Sequence, residues 1–226
     1  MIRKLIKAEL SHLKRKSYAL NQLDFKLRPY IDFRNGFFVE VGANDGISQS
    51  NTLYFEKYKG WKGLLIEPIP DLAEKCLLNR PKCIVENCAL VASDYVDKTI
   101  EIHYCNLMSV VKGGLNTDID EQMYIQRGKK YLVEGEETYV VNVPAKTLSQ
   151  VLKEHHIEYI DLLSLDVEGY EVQVLKGIEF DRHRIEHMLI EVWHREDVES
   201  IIGHLYQSIA ILNIGDSYSD ILFRRR

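Results

Sequence analysis

The 226-residue sequence is sparing with cysteine and proline, with four and five residues respectively. Cys76, Cys83, Cys88 and Cys105 have spacings that fit neither a zinc ligand set nor the disulfide framework of a small secreted domain. Reduced thiols in apolar segments are expected. No apolar run approaches the roughly 18 to 20 residues that a membrane span requires. Met1-Ile2-Arg3-Lys4 also opens without the apolar stretch and small-residue cleavage site of a secretory signal, so the expected location is the cytoplasm. Internal repeats, low-complexity tracts and linkers are missing too, which points to a single domain over residues 1–226.

Charge of one sign is scarce where a nucleic-acid binder would need it. Residues 1–30 carry eight Lys or Arg against Glu9 and Asp24, and the chain ends on Arg224, Arg225 and Arg226, yet the net charge is −5. The body is therefore strongly acidic, and the counterion release that drives phosphate-backbone binding would fall to the two ends alone. Nucleic acid is not expected as a partner. Within residues 1–16, Ile2, Leu5, Ile6, Leu10 and Leu13 recur at helical spacing among Lys and Arg. A basic amphipathic helix over residues 1–19 follows, with two readings: peripheral contact with an anionic membrane surface, or packing on the body.

A second helical pattern covers residues 18–31, and from Phe37 onward strands and helices alternate. Strands are predicted at 37–41, 63–67, 82–89, 159–165 and 187–192, with helices at 50–58, 70–79, 147–156, 170–180 and 196–206. This order describes an α/β fold built on an open, mostly parallel sheet with helices on both faces. Residues 209–214 and 220–223 are joined too tightly for a crossover, so an antiparallel hairpin is expected at one sheet edge. Residues 99–104 and 139–143 alternate like half-exposed strands of an inserted region, and the polar stretch between them, within 105–138, reads as a substrate loop or lid.

The turn after the first strand, Glu40-Val41-Gly42-Ala43-Asn44-Asp45-Gly46, is where such a sheet binds its ligand. It lacks the G-x-G-x-x-G spacing of a dinucleotide site and has an acid just ahead, which opposes a pyrophosphate. A ligand with an ammonium group suits it, and S-adenosylmethionine carries an ammonium and a sulfonium. The glycines are expected to let the backbone approach that ligand. Glu67-Pro68 ends the second strand, where a carboxylate accepts both ribose hydroxyls. Asn87-Cys88-Ala89 closes the third strand and borders the adenine, with the Asn87 amide either at the ring edge or merely finishing the strand.

These residues carry a family resemblance. The segments 38–46, Ser50-Asn51-Thr52 with Phe55-Glu56, Trp61-Lys62-Gly63-Leu64-Leu65-Ile66-Glu67-Pro68, 161–171 and Leu175-Lys176-Gly177 resemble the FkbM family of S-adenosylmethionine-dependent methyltransferases. The resemblance runs from about Leu20 to Phe223. It implies a Rossmann-like class I methyltransferase fold with a seven-stranded sheet, and methyl transfer to a hydroxyl oxygen on a sugar, a glycan unit or another secondary metabolite. It assigns Glu40, Gly42, Asn44, Gly46 and Glu67 to the cofactor, with Asn51 and Thr52 at the polar start of the first helix. S-adenosylhomocysteine is then the product.

Methyl transfer needs a positioned nucleophile and a group to take its proton. Asp166 ends the fourth strand and Glu168 follows two residues later. General base, Mg²⁺ ligand and acceptor fixing the loop at Gly169 are competing roles, although two acids at this spacing do not define a metal site. Asp166 also borders the cofactor. His194, after the fifth strand, is of the residue type best suited to act as a base at neutral pH, or is a surface histidine without a role. Glu191 points inward as a substrate hydroxyl acceptor or a satisfied core acid, and Tyr104, Tyr124, Tyr131 and Tyr139 offer faces for a sugar ring. Two other functions share the same cofactor half: N-methylation of an amine or protein, and a non-catalytic cofactor-binding module docked to a glycan-assembly complex.

Overall fold

The computed structural model describes residues 16–115 and 120–226, so the membrane-contact reading of residues 1–16 falls almost wholly outside the described residues. Eleven strands are present among them: β1 Phe37–Val41, β2 Lys62–Ile66, β3 Ile84–Glu86, β4 Ala89–Leu90, β5 Thr99–Tyr104, β6 Val110–Val111, β7 Tyr139–Lys146, β8 Tyr159–Leu165, β9 Arg184–Val192, β10 Tyr206–Ile214 and β11 Ser219–Arg225. The α-helices are α1 Leu23–Ile31, α2 Leu53–Lys59, α3 Pro70–Asn79, α4 Glu121–Gly128, α5 Leu148–Glu154, α6 Glu171–Lys176 and α7 Arg195–Ile202. Among the described residues no helix is long and apolar enough to cross a membrane.

The main sheet has seven strands in the order β10-β11-β9-β8-β1-β2-β3. Its β3, β2, β1, β8 and β9 run parallel, and β10–β11 closes the edge as the expected antiparallel hairpin. Alternation along β1 divides the core. Val39 and Val41 face α5, α6 and α7 through Leu148, Leu152, Val174 and Val198, while Phe38 faces α1 and α2 through Leu27, Ile31, Tyr54 and Phe55. Both faces of the parallel strands are covered, which is why those strands read as continuous apolar runs. The four cysteines are free thiols, three of them buried.

Two predicted elements differ. The strand expected over 82–89 breaks at Asn87, whose side-chain amide donates to the carbonyls of Glu67 and Pro68, both at 2.9 Å. The chain then turns away, and β4 joins a second sheet, β4-β7-β5-β6, instead of extending β3. The polar stretch in 105–138 is also less irregular than expected. It contains β6 and α4, the latter started by Asp120, whose carboxylate accepts from the amides of Gln122 and Met123. Ile125 of α4 packs on Cys105 and Val110.

Candidate active site

The order of strands reverses beside β1, between β2 and β8, and the turn 42–46 lies at that switch point. A cavity of about 680 Å³ opens there, within the usual span of small-molecule sites, about 300–1,000 Å³. Its walls come from the turn after β1, from Glu67 and Pro68 after β2, from Asp166 and Glu168 after β8, from Glu191 and Trp193, from α4, and from the β10–β11 turn.

The glycines of the turn serve the chain first. Gly42 has φ +80°, and a Cβ there would lie 2.0 Å from the Asp166 carbonyl oxygen. Gly46 has φ +79° and faces Arg80 and Cys76. Both positions are in the left-handed region that glycine adopts without strain, and the space where each Cβ would stand is taken by protein, although the Gly42 backbone still lines the cavity. The turn is then gripped from α3, with Cys76 Sγ donating to the Asn44 carbonyl at 3.0 Å and Asn79 Nδ2 to that of Asp45 at 2.8 Å.

Glu40 is 4% exposed and fully engaged by the chain. It accepts from the Ser50 hydroxyl (2.8 Å), the Asn51 amide (2.7 Å) and the Thr52 hydroxyl (2.6 Å), with Arg80 Nη1 at 3.7 Å. Its carboxylate fixes the approach to α2 instead of standing free for a ligand ammonium. Glu67 binds the turn as well, accepting from the amides of Asn44 (2.8 Å) and Ile69 (2.9 Å). Each of its oxygens keeps a second lone pair for another donor.

Several expected residues do not reach the cavity. Asp45 is used to cap the turn through the amides of Ile47 and Ser48, Thr52 is spent on Glu40, and the Asn87 amide is spent on two carbonyls, so neither its nitrogen nor its side chain borders the pocket. His194 is exposed at the start of α7 and absent from the cavity wall. Ala43, Asn44, Asn51, Pro68, Cys88, Ala89, Asp166 and Glu168 all line it. So do groups the sequence singled out less firmly. Glu191 and Tyr124 join the wall, Tyr124 donating its hydroxyl to Glu168 and lying 5.7 Å from the Trp193 ring. Tyr131 lines the mouth, whereas Tyr104 and Tyr139 stack on each other at 4.7 Å.

Burial dominates the electrostatics. It pushes Asp166 up to about 7, aided by the nearby Asp220 and Glu40 carboxylates, and raises Glu168 and Glu191 well above the carboxylate range, with neighbouring acids adding to the effect. Glu67 and Glu171 rise to about 7 through burial, against the backbone amides that hold them. Among the described residues no group of three or more His, Cys, Asp or Glu is arranged to hold a metal ion, so the Mg²⁺ expectation finds no ligand set there.

These raised values have a sign. Glu67 and Glu171 are protonated in both states below about 4.5, where burial costs nothing; from there to about 7 the unfolded chain ionises while the folded chain keeps its protons. Stability therefore falls across that window, by about 3 kcal/mol per group. Burial lowers His187, which opposes this below about 6.5; Glu86 and Glu136, both lowered, lose their contribution only near the acid end. The ligand-free chain is thus expected to melt higher at pH 5.5 than at pH 8 by scanning calorimetry. A melting temperature that is level or higher at pH 8 contradicts this account.

The cavity fits the donor inferred from the sequence. The Asn51 Oδ1 atom is buried with no hydrogen-bond partner among the described residues, an orphaned acceptor that an ammonium would satisfy. Glu67 offers two oxygens for ribose hydroxyls, Ile66, Cys88 and Leu90 give an apolar wall for a purine, and the carboxyl floor opposes a pyrophosphate. Residues 40–216 match the methyltransferase FkbM domain. The methyltransferase sdnD of Sordaria araneosa is 31% identical over 194 residues, covering 74% of this chain and 72% of the relative. Among solved structures, the methyltransferase FkbM of Methylobacillus flagellatus shares the fold with a TM-score of 0.52 at 15% identity, covering 94% of this chain. This chain spans about half of that protein, 49% of its length.

Proposed function

The chain belongs to the FkbM family of methyltransferases, and from that premise we propose that it moves the methyl group of S-adenosylmethionine to a hydroxyl oxygen of a sugar, a glycan unit or another secondary metabolite. When bound, the donor supplies an electrophilic methyl carbon on a sulfonium; acceptor and donor become the methyl ether, S-adenosylhomocysteine and a proton. The observation that carries the reading is the pair of unspent acceptors among the residues that line the cavity: Glu67 for the ribose and Asn51 Oδ1 for the ammonium.

The remaining work belongs to the acceptor half. Asp166 stands at the end of β8 with no hydrogen bond to its carboxylate among the described residues, and its burial holds it at about 7. A base with that pKa is about half ionised at neutral pH while retaining the strength to take a hydroxyl proton as it is lost. Glu168 accepts the hydroxyl of Tyr124 from α4, which ties the inserted region to the loop after β8.

Isothermal titration of the full chain with S-adenosylhomocysteine tests the reading. One equivalent is expected to bind, and Glu67→Ala is expected to weaken it about 10- to 100-fold through loss of charge-assisted contacts. No binding to the intact chain, or equal binding by the variant, overturns the assignment.

A further inference from the structure

Beyond the donor, the cavity floor has an unmatched chemistry. Glu191 is only 9% exposed, yet it lines the cavity. One of its oxygens accepts from Trp193 Nε1 at 2.9 Å, and the other accepts from nothing among the described residues. Glu168 and Asp166 line the same cavity, and among the described residues neither these two nor Glu191 forms an ion pair with a Lys, Arg or His; the groups that act on them are one another, Asp220, Glu40, Glu171, Tyr124 and Trp193. Buried carboxyls are ordinarily paired or metal-bound, and these form no metal set. The oxygen of Glu191 that accepts from nothing is open to a cationic group of a ligand, since the cavity's own cations Arg127 and Lys130 form no ion pair with it among the described residues. The donor brings one net positive charge, but its ammonium is seated on Asn51, ahead of α2, whereas Glu191 is on β9, one strand further from β1 than β8. The indole of Trp193 and the ring of Tyr124 border the same space, as is common where organic cations bind.

We infer that the acceptor carries a protonated amine, seated on Glu191 and Glu168 beside Trp193, and that the methylated hydroxyl is a neighbouring group of the same molecule. This rests on the reading of the site as a methyl-transfer centre and narrows its substrate class to amino alcohols, amino sugars included. The ammonium is the recognition group and not the nucleophile, because a nitrogen that holds all its protons has no lone pair with which to attack. Burial keeps Glu191 protonated in the empty cavity, and an arriving ammonium replaces that proton as the neutralising charge.

The test begins with the full chain saturated with S-adenosylhomocysteine. At slightly acid pH, where both amines are protonated, it is titrated with D-glucosamine against D-glucose, and with trans-2-aminocyclohexanol against cyclohexanol. The ammonium-bearing member of each pair is expected to bind about tenfold or more tightly than its neutral partner. Glu191→Gln, which keeps the shape and the Trp193 contact, is expected to bind S-adenosylhomocysteine and to bring both ratios to about one. Equal or tighter binding of the neutral partners, no binding of either amine by the loaded chain, or a preference that survives in the variant overturns the inference. Failure of S-adenosylhomocysteine itself to bind overturns the methyl-transfer reading instead, so the two failures are distinguishable.

Discussion

A Gly42→Ala chain loses measurable affinity for S-adenosylhomocysteine and unfolds about 3 kcal/mol or more below the parent in urea. Two separate penalties converge on this position. The backbone has φ +80°, where an L-side chain costs about 1–2 kcal/mol by itself. The added Cβ then sits 2.0 Å from the Asp166 carbonyl oxygen, a backbone atom that no rotamer change removes. Relief requires β1 and β8 to separate at the point where the Asp166 amide donates to the Val41 carbonyl at 3.3 Å. That separation carries Asp166 away from the cavity, so binding fails together with stability. Gly46→Ala is the informative comparison. Its φ of +79° brings the same strain, but the nearest atom is Arg80 Cγ at 3.0 Å, a tight contact instead of an overlap with a backbone oxygen. A loss of about 1–2 kcal/mol is expected there. A Gly42→Ala chain as stable as Gly46→Ala and still able to bind would show that the turn does not depend on its contact with β8.

The parts of this molecule that were legible in the sequence are those where one local pattern decides one structure. The parallel strands were visible because both faces are buried, the β10–β11 hairpin because its turn is too short for anything else, and the switch-point turn because two glycines bracket it. The parts that were not legible depend on single long-range contacts. Nothing in a run of apolar residues signals that Asn87 will be drawn to the carbonyls of Glu67 and Pro68 and so divert the chain into a second sheet. Helix α4 shows little periodicity because only Ile125 and Gly128 of it are buried. The position of His194 was nearly readable: Glu191 and Trp193 share a side of the extended chain and line the cavity, and strict alternation sends His194 to the other side. Arg80 gave no signal. It stands one residue past the end of α3 and is completely buried.

Removing that arginine has the second large effect expected of this chain. Arg80 Nη1 donates to the Gly46 carbonyl at 2.9 Å and the Ser50 hydroxyl at 3.2 Å, Nη2 to the Thr52 hydroxyl at 3.3 Å, and Nε to Glu56. The guanidinium lies 5.3 Å from the centre of the Phe38 ring and is the only cation paired with Glu40 among the described residues. It therefore joins α3, the start of α2 and the cofactor turn through one planar group. Arg80→Met preserves much of the volume but leaves the Glu40 carboxylate buried without a cation, and breaking a buried pair from one side costs about 3–5 kcal/mol. Urea denaturation is expected to show a loss of that size, and affinity for S-adenosylhomocysteine is expected to fall with it as Gly46 and Ser50 are released. The charge argument separates from simple loss of packing in a double-mutant cycle. Glu40→Gln with Arg80→Met removes the orphaned charge, so the pair together should cost less than the sum of the single changes by about 1 kcal/mol or more. Strict additivity would mean that Arg80 holds the turn by shape and hydrogen bonds alone. A coupling of that size would mean that the acid ahead of the first glycine, read from the sequence as a seat for a ligand's charge, is already matched by a charge the protein supplies itself.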